Sequence, residues 1–300
     1  MTVQVSLSLL LLAILWGSAF PAIQIALRDL DPGHLTLLRF VVASACFVPM
    51  LKLSGSRMLP ARRDLGYFLL LGFTGISFYH SALNYGQTRV SAGAASLIIA
   101  TAPAITAILA SFMLRDRLPW LGWVGIALSF TGVALISLGE NAGLTLNPFA
   151  LLILLAALAT SLYAIWQKPL FGRYRALEVT SFATWAGTLP LFIFSPGLGE
   201  KVLEAPWQSL AAAVYTGIFP AAIAYVLFSY ALSRADVTVV TPYLYSVPVF
   251  SMLFAWLLLA EVPPALTLAG GLLALAGIAL VNYAKRRALL RLRLAAKSLG

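Results

Sequence analysis

The sequence predicts an all-α membrane protein whose ten transmembrane helices form two inverted five-helix repeats, and three observations carry that reading. The composition is 61% hydrophobic and only 10% charged, with a mean hydropathy of +0.93, far outside the range of a soluble domain. Ten apolar stretches are each long enough to cross roughly 30 Å of hydrocarbon. Sliding the chain along itself by 145 residues lays Tyr85 to Ile136 on Tyr230 to Val281 without a gap.

The ten spans fall near 5–27, 34–53, 65–87, 91–114, 119–138, 149–171, 177–196, 207–231, 236–259 and 265–284. They are continuous apolar runs, not the short alternating segments of an outer-membrane barrel, so helices must satisfy the backbone. The first has no basic leader, and its apolar run continues past Trp16 to Leu27, too long for the core of a signal peptide. It therefore reads as a helix. The second carries Arg39 and the lone cysteine, Cys46, which leaves neither a disulfide nor a metal cluster to expect. The third places His80, Asn84 and Gln87 at i, i+4 and i+7, one polar stripe on a helix. Pro21, Pro103, Pro220 and Pro248 are expected to interrupt the first, fourth, eighth and ninth spans and to free carbonyls that line a cavity. Glycines such as Gly72, Gly125, Gly132, Gly270 and Gly277 read as helix-packing contacts. Trp120, Trp123 and Trp207, near span ends, read as interfacial anchors.

The internal match falls on punctuation residues: Arg89 meets Arg234, Pro103 meets Pro248, Asp116 meets Glu261, and Gly125 and Gly132 meet Gly270 and Gly277. Trp16 and Trp166 extend it to the start of each half at an offset of 150, the slippage lying in the loops. This divides the chain into residues 1–143, residues 144–284 and a basic tail, 285–300. Lysine and arginine collect on alternate loops if both termini are cytoplasmic: Lys52, Arg57, Arg62, Arg63, Lys168, Arg173, Arg175 and the tail lie inside, facing only Arg28, Arg89 and Lys201 outside. Five spans per half is an odd number, so the second half lies upside down relative to the first. The net charge of +10 is accounted for by this bias and by a tail suited to anionic lipid, so no nucleic-acid partner is expected.

An inverted repeat of multi-span units is the architecture of secondary transporters that alternate access to a site near the midplane. The run Leu15-Trp16-Gly17-Ser18-Ala19-Phe20-Pro21, the pair Arg39-Phe40, and the twice-repeated pattern that ends at Asp116 and at Glu261 resemble the drug/metabolite transporter superfamily in its ten-helix EamA-type branch. The resemblance covers nearly the whole chain. It implies a carrier of the bacterial inner membrane that exports small metabolites, with amino-acid exporters, including the aromatic-amino-acid and methyl-viologen type, prominent. One departure is Gln24, where the resemblance implies a lysine.

Polar residues within spans normally face the bundle interior. The candidate substrate-binding residues are Trp16, Ser18, Tyr79, His80, Asn84, Tyr163, Trp166, Gln167, Tyr243 and Tyr245, several of which serve core packing equally well. Arg39 is the basic residue well within a span, either a gate that bonds helix carbonyls or a partner for a substrate carboxylate. Asp116 and Glu261 read as loop and capping carboxylates at span ends. The lack of a carboxylate deep in any span weakens an organic-cation or multidrug antiporter. An amino acid fits the inventory, as does a nucleoside or a small sugar. No phosphate-binding loop points to an ATP-driven pump. A passive channel and an intramembrane enzyme are the remaining rivals, disfavoured by the paired small residues and by the absence of a legible nucleophile arrangement. No cofactor is expected, and the partners are a small-molecule substrate and the lipid bilayer, for a chain able to work as a monomer.

Overall fold

The protein is represented by a computed structural model that describes residues 3–113, 118–140, 146–234 and 244–297, and every regular element among them is helical. With no water to pair with, each backbone N–H and C=O must be satisfied within its own segment. Helix α1 (Val3–Ala26) runs unbroken through Pro21, against the expected interruption. One missing N–H is tolerated inside a long helix packed by neighbours. Helix α2 (Pro32–Leu53) opens on a proline, where an N–H has no helical partner in any case.

The third span is compound. Helix α3 (Leu65–Gly72) passes directly into a π-helical turn, Phe73–Phe78, and then into α4 (Tyr79–Gly86). In the fourth span, α5 (Ala92–Ile99) and α6 (Ala102–Met113) are parted by Ala100 and Thr101, and Pro103 sits in the first turn of α6. Helices α7 (Trp120–Gly139), α8 (Pro148–Trp166), α9 (Ala176–Leu191) and the short α10 (Leu198–Glu204) follow. The eighth span repeats the third: α11 (Trp207–Ile218), a π-helical turn at Phe219–Ile223, and α12 (Ala224–Arg234). Helices α13 (Val247–Leu259) and α14 (Ala265–Lys297) complete the chain.

Eight segments are long and apolar enough to cross a membrane. The expected spans 65–87 and 236–259 are not among them. The former is diluted by Thr74, Ser77, His80, Ser81 and Asn84, and the latter is described only from Leu244 onward. Helix α14 continues well past its apolar stretch, its 33 residues spanning about 50 Å at 1.5 Å per residue.

The most extensive helix pairing is α7 against α14. A Cβ added at Gly125 would stand 2.6 Å from the Gly277 carbonyl, and one at Gly132 would stand 2.5 Å from the Gly270 carbonyl. The contacts run in opposite order along the two helices, so α7 and α14 are antiparallel. Between those crossings Ser129 Oγ donates to the carbonyl of Ala274, 145 residues further on, at 3.2 Å. A second pair of contacts has the same form. Gly72 of α3 packs on Gly187 of α9, while Gly217 of α11 packs on Val42 of α2, each residue lying 145 positions from its counterpart.

The loops gather at two ends of the bundle. At one end Arg173 Nη1 and Tyr174 Oη donate to the Asp64 carboxylate, both at 2.7 Å, and the Arg57 amide donates to Glu178 at 2.8 Å. At the other end His34 meets the Pro196 carbonyl, Asn147 donates to the Arg89 carbonyl, and Ser91 donates to Glu140. Loops that the charge pattern assigned to one side thus touch one another. Trp120 and Trp207 begin their helices and are exposed, as anchors at an interface would be.

Candidate functional site

The polar stripe of the third span forms as expected. His80, Asn84 and Gln87 are 4%, 0% and 3% exposed. Asn84 Nδ2 donates to Thr36 Oγ1 of α2 at 2.8 Å, and Gln87 Nε2 donates to the Phe20 carbonyl of α1 at 3.1 Å. Their amide oxygens have no hydrogen-bond partner, and neither has either ring nitrogen of His80. The His80 ring is wedged between Phe40 and Tyr79, with centroids at 4.5 and 4.3 Å.

Arg39 lies beside this stripe, buried in α2 at 3% exposure. Its Nε donates at 3.4 Å to the carbonyl of Thr216, the group to which Pro220, lacking an N–H, offers no regular helical bond. The guanidinium carbon stands 5.6 Å from the Phe40 ring centroid. Tyr79 and Tyr225 lie within its electrostatic reach, and Nη1 has no hydrogen-bond partner. Among the described residues the ion pairs are His34–Asp31, Arg63–Asp64 and Arg173–Asp64, none of which involves Arg39.

Trp16 closes the group from α1. Its Nε1 donates to the Pro220 carbonyl at 3.2 Å, and its ring packs on Tyr225 and Phe228 at 5.8 and 5.5 Å. Tyr225 was not among the sequence candidates, yet the signal was available: the 145-residue offset that pairs Tyr85 with Tyr230 pairs His80 with Tyr225. The same offset pairs Arg39 with Thr184, whose buried hydroxyl also has no partner.

The remaining candidates are scattered. Tyr163 packs against Gly75, where a Cβ would stand 2.2 Å from its ring, and lies within electrostatic reach of Tyr225. Ser18 Oγ bonds the Leu15 carbonyl at 2.9 Å and the Tyr215 hydroxyl at 2.6 Å. Trp166 ends α8, its carbonyl accepting from Tyr67 at 2.6 Å, and packs with the aromatic cluster of Phe68, Tyr174 and Phe182. Gln167 follows as the C-cap of that helix. Tyr245 packs among α6, α7 and α14, its hydroxyl taking a hydrogen bond from Asn282. Tyr243 and Asp116 lie outside the described residues.

Glu261 is a capping carboxylate, accepting from the Ala92 amide of α5 at 3.1 Å. Beside it Glu140 accepts from the Ser91 amide at 2.8 Å. Burial pushes the Glu261 carboxyl above its ordinary range; the Ala92 N–H lowers it, nearby Glu140 raises it, and a hydrogen bond from Gln24 lowers it. A surface depression of about 300 Å³ lies apart from all these groups, between Arg28, Asp29, Lys201, Glu204 and Ala205.

A polytopic helical bundle with aromatic and unpartnered polar side chains gathered on its inward faces is compatible with a membrane transporter. Residues 4–138 and again 147–283 match the EamA-like transporter family, and the chain belongs to that family. It is 39% identical over 276 residues, covering 92% of each chain, to a probable terminal-alkyne amino-acid exporter of Streptantibioticus cattleyicolor. It is 35% identical over 277 residues, 92% of this chain and 90% of the other, to the uncharacterized transporter YdfC of Bacillus subtilis. A probable amino-acid metabolite efflux pump of Salmonella typhimurium is 25% identical over 279 residues, 90% and 91% of the two chains. A solved crystal structure superposes with a TM-score of 0.65 at 20% identity, covering 96% of this chain and 99% of that one, a likeness of fold alone.

Proposed function

We propose that this protein is a secondary carrier of the bacterial inner membrane that exports amino acids by alternating access, built as ten spans in two inverted repeats with both termini cytoplasmic. The observation that carries the reading is the group formed by Trp16, Arg39, Tyr79, His80 and Tyr225: polar atoms left unpartnered among aromatic rings, drawn from both halves of the chain. Unpaired buried polar atoms are costly in an empty protein and are satisfied when a polar solute enters. The antiparallel contact of α7 with α14 and the matched π turns support an inverted repeat. The two relatives whose names include amino-acid export or efflux support the substrate class.

Mechanistically, the two halves rock against each other about this group and expose it to each side in turn. The π turns at Phe73–Phe78 and Phe219–Ile223 are the places where the lining helices bend most readily, since a π turn relaxes the regular bond ladder. Purified protein in liposomes loaded with labelled amino acids, nucleosides and sugars, with and without a pH gradient, tests the reading. Saturable release of amino acids is the expected result. Changing Trp16, His80 or Tyr225 to Ala is expected to slow release without loss of folded protein; wild-type rates from all three would remove the site assignment.

A further inference from the structure

Resting on the carrier reading above, we infer that Arg39 is the receptor for the carboxylate of the transported solute, so that the solute class is a free amino acid and not its amide, its amine or a neutral sugar. A guanidinium enclosed by apolar helices costs several kcal/mol unless an opposite charge meets it. Arg39 is 3% exposed, its Nη1 has no hydrogen-bond partner, and no described carboxylate pairs with it.

The group is also held in place. Its Nε is fixed to the Thr216 carbonyl, and Phe40 packs against its face. Trp16 is fixed in the same way to the Pro220 carbonyl, one helical turn along the same span. The break at Pro220 therefore sets a cationic group and an aromatic wall of Trp16, Tyr225 and Phe228 side by side. An amino acid has the matching layout, a carboxylate for Arg39 and an ammonium that rests on aromatic faces. A solute with only a cation meets like charge at Arg39 and is disfavoured.

The test uses full-length protein in liposomes and two labelled pools, the neutral proteinogenic amino acids and the same compounds as α-carboxamides. The expected result is release of the acid pool about tenfold faster than the amide pool, the size of one charge-assisted contact. Arg39→Gln is expected to bring that ratio close to one, and Arg39→Lys to restore part of it. Equal release of the two pools by the unaltered protein overturns the inference while leaving a carrier. Retention of the full preference in Arg39→Gln overturns it as well. Release of neither pool overturns the amino-acid carrier reading, and the inference with it. Should Arg39→Gln fail to fold, the ratio in the unaltered protein and in Arg39→Lys still decides.

Discussion

The α7–α14 contact and the group around Arg39 are both made by helices related through the 145-residue offset, yet they are opposite in kind. At the first, backbone meets backbone: Gly125, Gly132, Gly270 and Gly277 stand at the closest approaches, and Ser129 spends its hydroxyl on the carbonyls of Gly125 and Ala274. Nothing polar there is left wanting. At the second, two spans give up regular helix at their π turns, and Arg39, His80, Asn84 and Gln87 keep polar atoms without partners. One contact is finished by the chain alone, and the other, on the proposed reading, is finished by what binds. The duplicated fold uses the first as a fixed seam and leaves the second unsatisfied.

The sharpest way to break this contrast is to crowd the seam. Gly132→Ala places a Cβ 2.5 Å from backbone atoms of Gly270 and Ala274, which forces the helices apart and costs about 2–3 kcal/mol. A fall in melting temperature and loss of monodisperse protein in detergent are expected, and an unchanged melting curve would remove the seam from the account. At the polar group the sign reverses. Arg39→Met is expected to slow amino-acid release about tenfold while raising stability by about 1–3 kcal/mol, because an unpaired buried charge is lost and the apolar stem is kept. A lower melting temperature would show that Arg39 is chiefly structural. Trp16→Phe keeps the ring but loses the bond to the Pro220 carbonyl, a change of about 1 kcal/mol, and is expected to slow transport a few-fold with little change in melting.

The smallest effect lies at the capped end of α5. The folded protein holds the Glu261 carboxyl above its ordinary value of 4.5, so between 4.5 and the raised value the folded state binds more protons than the unfolded one. Stability therefore falls as pH rises through that window. Glu261→Gln keeps an acceptor for the Ala92 amide and is expected to flatten the decline. A melting temperature with the same pH slope in both proteins would exclude Glu261 as its source.

Much of this was legible in the sequence. Apolar runs located eight of the expected spans, loop charge sorted the connections into two ends, and the spacing of His80, Asn84 and Gln87 placed them on one buried face. Of the glycines read as packing residues, Gly125, Gly132, Gly270 and Gly277 form the seam, and Gly72 packs on Gly187 of α9. What was not legible depends on geometry between helices. Pro21 lies within an unbroken helix, while the π turn at Phe73–Phe78 arises without a proline, where Gly72 and Gly75 let Gly187 and Tyr163 press against the backbone. Trp166 and Gln167 fall inside the expected span 149–171, but α8 stops at Trp166 and the chain continues as a 3-10 turn over Lys168–Gly172, so both mark the end of the α-helix. Nothing within its own span marks Tyr225, whose relation to His80 emerges only when the repeat is applied residue by residue.

The most direct test of the central claim is counterflow. Liposomes containing the purified protein are loaded with unlabelled neutral amino acids at high concentration, and a trace of the labelled pool is added outside. A carrier that exposes one site to each side in turn predicts that label accumulates transiently above its equilibrium level, driven by outward movement of the unlabelled solute. Label that rises only to equilibrium, at a rate indifferent to the internal load, would contradict alternating access and return the polar group to the wall of a channel.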